Sequence, residues 1–403
     1  WGGNPKDKLL STRFENLIRR THEQTGKKVV VLIDEYDKPL INTMDDPEVH
    51  DNIRKALKGF YGVLKSADAY LRFVMLTGVT KFSQVSIFSD LNHLKDISMN
   101  EDYAGICGIS ESELLREFEP ELHALADKTG KTYEETLAEM KKRYDGYHFA
   151  RNSEGMYNPF SVLNTFSSME FRDYWFQTGT PTFLVNLLKR EDFDIRNLKS
   201  DVTIEARSIT DYRPENNNPV PILYQSGYLT IKRYKKMFDA YVLGFPNEEV
   251  EYGFLHELLP AFAPRDMTGD FFVGNFIEDL MDGNVDAFMT RLRAFFAGIP
   301  YELNDKTERH YQTVFYLVFK LMGQFVEAEQ HSAAGRADAV VITAGTVYVF
   351  EFKLAGNATA EDALKQIDDK GYLIPFTAGD RKTVKIGAEF NAAERTLGRW
   401  LYI

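Results

Sequence analysis

The fold of the C-terminal region is decided by residues 336–353, which read Arg336-Ala337-Asp338-Ala339-Val340-Val341-Ile342-Thr343-Ala344-Gly345-Thr346-Val347-Tyr348-Val349-Phe350-Glu351-Phe352-Lys353. Two apolar runs rich in valine flank a short turn, a pattern that predicts a β-hairpin. If residues 344–345 form a two-residue turn, counting outward along the antiparallel ladder places Asp338 directly opposite Glu351. Opposed residues point to the same face of a sheet, and Lys353, two residues further on, shares that face.

This placement of charged groups predicts a metal site. Two opposed carboxylates repel one another unless a cation lies between them. Oxygen ligands with room for water suit Mg²⁺ or Mn²⁺, and a neighbouring lysine can position the attacking water in phosphodiester cleavage. The alternative is an acidic hairpin edge with a solvated Glu-Lys pair. The position of Glu351 between Phe350 and Phe352, at the end of a densely apolar strand, favours the metal site.

The segments around the hairpin predict two helices. Residues 305–323 carry an apolar stripe made of Tyr311, Val314, Phe315, Val318, Leu321 and Met322. Glu308 lies on the same side as this stripe, so a carboxylate is expected to face the core. Residues 360–370 predict a second helix, with Thr359 as its N-cap and Gln366 on its body. A short strand is predicted near residues 383–387.

Residues 300–395 resemble the PD-(D/E)XK nuclease superfamily, in which an acidic residue and a later E-x-K form the metal site on an αβββαβ core. Four positions match the family pattern: Glu308, Asp338, Glu351-Phe352-Lys353 and Gln366. The resemblance implies that Glu308, Asp338, Glu351, Lys353 and Gln366 form the catalytic site, with Asp338 and Glu351 as metal ligands. The exonuclease branch carries Q-x-x-x-Y on the last helix, whereas here Tyr372 follows Gln366 at a longer interval.

The N-terminal region shows the pattern of an α/β sheet. Residues 9–25 and about 48–66 predict helices, and the apolar runs Val29–Ile33 and Leu71–Leu76 predict parallel strands that are buried on both faces. Because chemistry in such sheets lies at the carboxyl ends of strands, the residues after each run are candidate site residues.

Acidic residues follow the first of these strands. Asp34 and Glu35 give it the form of a Walker B strand, in which the aspartate holds Mg²⁺ and the glutamate orients the hydrolytic water. Thr77, Thr80 and Lys81 follow the second strand, where a group that senses the γ-phosphate would lie. The alternative interpretation of Asp34 and Glu35 is an acidic loop that ends a core strand.

Together with Tyr144-Asp145-Gly146-Tyr147 and Tyr157-Asn158-Pro159-Phe160, the run Val29–Leu40 resembles a bacterial AAA-ATPase-like family that carries a PD-(D/E)XK domain at its C-terminus. The resemblance implies a P-loop ATPase-like parallel sheet, and ATP as a cofactor of the intact protein bound through Asp34, Glu35, Thr77 and Lys81. In that family the phosphate-binding loop precedes the Walker B strand. The pattern G-x-x-x-x-G-K-[ST] is absent from the chain, and the sequence, which begins without methionine, is expected to lack an N-terminal portion.

Composition limits the class of protein. The 403 residues, 44% of them hydrophobic, are enough for two or three domains: 1–200 ATPase-like with a helical lid, 201–295 a connecting helical or winged region, and 296–403 nuclease-like. The net charge of −12 argues against a surface coated with basic groups, so any nucleic acid must bind to a local basic groove. A single cysteine and the lack of a long apolar run favour a cytoplasmic protein that does not contact membranes.

These observations predict an α/β enzyme, a magnesium- or manganese-dependent nuclease that acts on nucleic acid, with DNA favoured, and that is coupled to an ATPase-like module. An oligomer is compatible with the sequence. The alternative function is an ATP-dependent switch or interaction protein whose nuclease-like domain binds nucleic acid or a partner without cutting. The complete set of Asp338, Glu351 and Lys353 favours catalysis, because a binding module does not need all three.

Overall fold

A computed structural model of the chain describes residues 9–43, 46–79, 93–178, 184–185, 187–188, 193, 195–199, 202–209, 218–262, 272–298, 308–323, 327–330, 337–377, 379–391, 393–394 and 396–403. The chain is mixed α/β and divides into two compact units. Unit 1 comprises residues 1–193 and 197–250, and unit 2 comprises residues 194–196 and 251–403. Within the described residues, no helix is both long and apolar enough to cross a bilayer.

Unit 1 begins with two parallel strands and the helices between them. Its elements are α1 Leu10–Thr25, β1 Val29–Ile33, α2 Lys38–Ile41, α3 Pro47–Tyr61, α4 Val63–Ser66 and β2 Leu71–Leu76. The side chain of Asp46 accepts a hydrogen bond from the Val49 amide at 3.1 Å and so caps α3, whose first residue is Pro47. The predicted pairing of β1 with β2 in one parallel sheet is confirmed.

The prediction that both strands are buried on both faces is wrong. Val31 is buried, but Val30, Leu32 and Phe73 are 53%, 70% and 51% exposed. In the described part of the chain this sheet has two strands, and α1 contacts β1. Because successive side chains alternate between faces, one face of β1 is only partly covered. The wider sheet of a P-loop ATPase is not seen among the described residues.

A helical layer follows in unit 1. It consists of α5 Glu111–Glu117, α6 Glu119–Thr129, α7 Tyr133–Tyr144 and α8 Pro159–Ser168, with the short antiparallel strands β3 Ile109–Ser110 and β4 Met156–Tyr157. Ser110 and Thr132 each form a capping box with a glutamate three residues on, which fixes the starts of α5 and α7. Their apolar faces form one core around the fully buried Tyr144.

The turn after α7 brings two backbone segments together. Gly146 has φ +108°, and a Cβ on it would lie 2.3 Å from the Pro246 carbonyl oxygen. Only glycine fits there without displacing the backbone. Tyr144 donates a hydrogen bond from its hydroxyl to the Arg172 carbonyl at 2.9 Å. The turn at residues 144–147 is therefore a structural anchor between segments of unit 1.

The last part of unit 1 is a three-stranded antiparallel sheet. Its strands are β5 Val202–Glu205, β6 Thr230–Lys235 and β7 Ala240–Gly244, in the order β5-β7-β6. Two short helices, α9 Ala206–Ile209 and α10 Val220–Gln225, lie between β5 and β6 in the chain. Every residue of β7 is buried, which suits a central strand. The pairing of β6 with β7 is interrupted by an irregularity between Ile231 and Arg233.

Unit 2 is a five-stranded mixed sheet with helices. Its helices and strands are α12 Phe272–Met281, α13 Val285–Ala297, α14 Glu308–Met322, β8 Glu327–Gln330, β9 Ala339–Ile342, β10 Thr346–Leu354, α15 Ala360–Asp369, β11 Lys382–Asn391 and β12 Thr396–Tyr402, and α11 Glu248–Phe262 precedes them. The strand order is β12-β11-β10-β9-β8, and only β10 and β11 are parallel. From α14 to β11 the element order is αβββαβ, as expected.

The core of unit 2 is aromatic. Phe350 on β10 is fully buried, and its ring lies 5.3 Å from that of Phe288 on α13 and 5.2 Å from that of Phe319 on α14. Such tilted and edge-on contacts add to the stability that burial alone provides. The core fixes β10 beside α13 and α14, and β10 is the strand that carries the charged residues of interest.

Candidate active site

The register of the β9–β10 hairpin places the two acidic residues together. Thr343 donates its amide hydrogen to the Thr346 carbonyl at 2.9 Å, and the ladder runs outward to the pair Ala339 and Phe350. The next step is a hydrogen bond of 3.1 Å from the Asp338 amide to the Phe350 carbonyl. Asp338 therefore lies opposite Glu351, and the predicted register is confirmed.

Asp338 is held at the end of β9 by the backbone of β10. Its Oδ2 accepts a hydrogen bond from the Phe352 amide at 2.8 Å. Burial, and then the negative charge of Glu351, raise the pKa of Asp338 to about 6, although the Phe352 hydrogen bond and Lys353 oppose this rise. In the absence of a cation, burial and the charge of Glu351 thus hinder the ionisation of Asp338.

Glu351 and Lys353 form a hydrogen-bonded group with Gln366 of α15. Glu351 is 3% exposed. Lys353 Nζ donates to Glu351 Oε1 at 2.9 Å and to Gln366 Oε1 at 2.6 Å. Gln366 Nε2 donates to the same Glu351 oxygen and lies 3.3 Å from the Tyr372 hydroxyl. Gln366 therefore bridges Glu351 and Lys353, and the Tyr372 hydroxyl contacts the Gln366 amide.

The position of α15 is fixed at its first residue. Thr359 and Asp362 form a capping box, and the Ala360 amide donates to Glu389 Oε1 at 2.9 Å. Gly387 of β11 is paired with Glu351 of β10, and a Cβ on Gly387 would lie 2.3 Å from the Ala360 carbonyl oxygen. The helix thus packs directly on the strand beside the acidic pair, which brings Gln366 within reach of β10.

The acidic pair fits a divalent metal ion. Glu351 Oε2 is buried and, among the described residues, has no hydrogen-bond partner. A buried carboxylate oxygen of this kind is costly unless a cation or water satisfies it. The described residues contain no group of three or more histidine, cysteine, aspartate or glutamate side chains that could hold a metal. Two carboxylates with water completing the shell is the ligand set that Mg²⁺ accepts.

Glu308 was predicted as a site residue, whereas Tyr372 was not. Glu308 is the first residue of α14, but its side chain lies outside the part of the structure that is described, so its catalytic role stays a prediction. Tyr372 is buried against Gln366 even though its sequence interval differs from the family pattern. The signal that could have assigned it is Gly371 before it, with φ +65°, because this turn carries the chain back towards the helix.

The candidate nucleotide site in unit 1 keeps part of the expected arrangement. Thr77 donates a hydrogen bond from its hydroxyl to Asp34 Oδ1, which also accepts one from the Glu35 amide at 2.9 Å. The Thr77 hydrogen bond, followed by that of Glu35, lowers the pKa of Asp34. The carboxyl ends of β1 and β2 are therefore joined, and Asp34 is exposed and ionised near neutral pH. Thr80 and Lys81 lie outside the described residues.

The backbone after Asp34 is in an unusual conformation. Glu35 has φ +49°, which lies in the left-handed region that residues other than glycine seldom adopt. Hydrogen bonds from Tyr36 to the Thr77 carbonyl at 3.0 Å and from Val79 to the buried Asp37 at 3.2 Å hold this turn. Positive φ at such a residue is found more often at functional sites, so the conformation supports a role for Glu35.

Comparisons with known proteins match two separate segments of the chain to two families. The family described as "Predicted AAA-ATPase" matches residues 3–88, and the PD-(D/E)XK nuclease superfamily matches residues 306–400. A curated protein, "Uncharacterized protein in vnfD 5'region" of Azotobacter chroococcum mcd 1, is 37% identical over 396 residues, which cover 96% of this chain and 73% of that protein. No solved structure matches the chain.

Proposed function

Since the chain belongs to the AAA-ATPase-like family that carries a C-terminal PD-(D/E)XK nuclease superfamily domain, we propose that this domain hydrolyses phosphodiester bonds of nucleic acid, with DNA as the substrate. The observation that carries the proposal is the convergence of Asp338, Glu351, Lys353 and Gln366 on one face of β10. Metal binding alone would not require the lysine, and a solvated ion pair would not be this well buried.

Each group has a chemical role in the proposed reaction. Asp338 and Glu351 would hold Mg²⁺ or Mn²⁺, which when bound supplies charge stabilisation and a more acidic water. Lys353 keeps its ammonium group beside the acidic pair because Glu351 and Gln366 accept its hydrogens. That positive charge can stabilise the negative charge that develops on the phosphate oxygens. Gln366 is a positioning residue, since it fixes both Glu351 and Lys353.

A cleavage assay with the Lys353→Ala variant tests this function. The wild-type protein is expected to cut linear, circular or single-stranded DNA when Mg²⁺ or Mn²⁺ is present and not in EDTA, and RNA is included as a competing substrate. Loss of the ammonium group should lower the rate by roughly a hundredfold to a thousandfold, as for other groups that stabilise developing charge. Equal rates for the two proteins would refute catalysis at this site and favour contamination by another nuclease.

We expect the present chain to bind ATP weakly. Asp34 and Thr77 are placed to hold a hydrated metal, but tight binding of a triphosphate also needs a glycine-rich loop and its lysine around the β- and γ-phosphates. The 403-residue sequence contains no G-x-x-x-x-G-K-[ST] pattern. Calorimetric titration with ATP and Mg²⁺ should give a dissociation constant in the millimolar range or no heat signal. Micromolar binding would show that the nucleotide site lies elsewhere in the chain.

A further inference from the structure

The hairpin formed by β6 and β7 has a charge opposite to that of the whole chain. Residues 230–244, here called the basic hairpin, contain Lys232, Arg233, Lys235 and Lys236 and a single carboxylate, Asp239. Their net charge is +3, whereas the chain as a whole carries −12. Such a local patch is what an acidic protein needs in order to contact a polyanion.

The shape of the basic hairpin directs these groups to solvent. The irregular pairing between Ile231 and Arg233 is a bulge, and bulges change where side chains point. Lys232 and Arg233 are both exposed, although adjacent residues of a regular strand would point to opposite faces. At the tip, Met237 is 88% exposed and Phe238 is 67% exposed. Two large apolar side chains therefore lie next to the cationic groups.

Two cations of the basic hairpin, Lys235 and Lys236, differ from the other dense cationic run of unit 1. In α7, Lys141, Lys142 and Arg143 contact the carboxylates of Glu111, Glu248 and Glu139. Lys235 instead donates to the Thr203 hydroxyl at 3.1 Å. Within the described residues, neither Lys235 nor Lys236 forms an ion pair. Their positive charge is thus available to an external anion.

A fifth cation joins the patch from a different segment. The guanidinium of Arg151 lies 3.6 Å from the centre of the Tyr234 ring, and the Tyr234 hydroxyl donates to Asp239 at 2.5 Å. Stacking on the ring holds Arg151 beside the strand while leaving it exposed. The patch therefore combines lysines, arginines and aromatic rings, which is the composition of surfaces that bind nucleic-acid strands.

We propose that the basic hairpin is a nucleic-acid binding surface. Lys235 and Lys236 contact the phosphates, while Met237 and Phe238 pack against bases or between them. The inference rests on the proposed function in one respect, because it takes the polyanion to be the substrate of the nuclease domain. It adds a second contact that the catalytic residues do not provide, and it assigns substrate binding to unit 1.

The proposal is tested by fluorescence anisotropy. A labelled single-stranded oligonucleotide and a labelled duplex oligonucleotide are each titrated with the full chain in EDTA. The Lys235→Gln/Lys236→Gln variant is expected to bind roughly tenfold or more weakly near 0.1 M salt, with a salt dependence reduced by about two phosphate contacts. Met237→Ser/Phe238→Ser should weaken binding severalfold and leave the salt dependence unchanged. The matched control, Lys141→Gln/Lys142→Gln, removes the same charge from α7 and should change affinity by less than about twofold.

The possible outcomes separate this proposal from the nuclease assignment. Wild-type affinity in both hairpin variants, an equal loss in the α7 control, or no binding of the wild-type protein would each refute the basic hairpin as a nucleic-acid surface. Binding to phosphatidylserine vesicles is measured for the same proteins. If the hairpin variants lose vesicle binding but keep wild-type affinity for the oligonucleotides, the basic hairpin is a membrane-binding surface instead. If Lys353→Ala cuts normally while the hairpin variants bind poorly, the catalytic assignment fails and the binding surface stands.

Discussion

The Asp338→Asn variant is expected to lose metal-dependent cleavage and yet to melt at a higher temperature than the wild-type protein in EDTA at pH 8. The amide removes one of the two carboxylates that hold the ion, so the rate should fall by roughly a thousandfold, corresponding to about 4 kcal/mol of transition-state stabilisation. The same change removes a buried negative charge beside Glu351, and it is this burial, followed by the repulsion from Glu351, that raises the pKa of Asp338 to about 6. Loss of activity with a gain of stability distinguishes a functional residue from a structural one.

The pH dependence of this stability difference has a definite sign. Because the pKa of Asp338 is higher in the folded state than in the unfolded state, ionisation opposes folding. Its cost is fully present well above pH 6, falls as the pH drops through about 6, and is lost only below the ordinary pKa of 3.8, where the carboxyl group is protonated in both states. The advantage of Asp338→Asn in EDTA, at most about 3 kcal/mol, should therefore be mostly lost by pH 4 and absent at pH 3. Excess Mg²⁺ should stabilise the wild type and not the variant.

A second carboxylate supplies the control. The hydrogen bonds from Thr359, first the amide and then the hydroxyl, lower the pKa of Asp362 in the capping box of α15. Asp362→Asn should therefore destabilise the protein at pH 8, and the difference should stay nearly constant down to about pH 4 and shrink only below it, because the folded-state pKa lies below the ordinary value of 3.8. The measurement is the melting temperature of the three proteins between pH 3 and pH 8. If the two variants showed the same dependence of melting temperature on pH, the ionised form of Asp338 would not be destabilised by burial and by the charge of Glu351.

Local sequence determined the part of the site that depends on a single hairpin. The two-residue turn at residues 344–345 fixes the pairing of β9 with β10, so the opposition of Asp338 and Glu351 could be counted from the sequence. The contacts of Gln366 could not be counted in this way. They depend on the parallel pairing of β10 with β11 and on the packing of α15, which are long-range features.

Burial in unit 1 shows a limit of another kind. The apolar runs of β1 and β2 predicted the strands with the right bounds and their parallel pairing. They could not predict which face is covered, because burial depends on neighbouring elements and not on the strand itself. The left-handed conformation of Glu35 had no sequence signal either, since the hydrogen bonds that hold this turn are made with the loop after β2.

The last prediction concerns Gly387, where the strand and helix of the site are in closest contact. A Cβ at this position would lie 2.3 Å from the Ala360 carbonyl oxygen and 3.0 Å from both the Ala363 Cβ and the Leu364 Cγ. Because a backbone carbonyl at the start of α15 cannot rotate away as a side chain can, Gly387→Ala must displace the helix. We expect a loss of about 3 kcal/mol in the free energy of unfolding, at the upper end of the range for overpacking.

The displacement should reach the active site as well, because α15 carries Gln366. A shift of about 1 Å in a positioning group can lower a rate by about a hundredfold, so the Gly387→Ala protein should cleave poorly even well below its melting temperature. Gly345→Ala is the matched control, since a Cβ on Gly345 meets nothing within 4 Å and its φ is not in the left-handed region. Full activity of folded Gly387→Ala would show that Gln366 does not need its observed position, and that Lys353 acts without it.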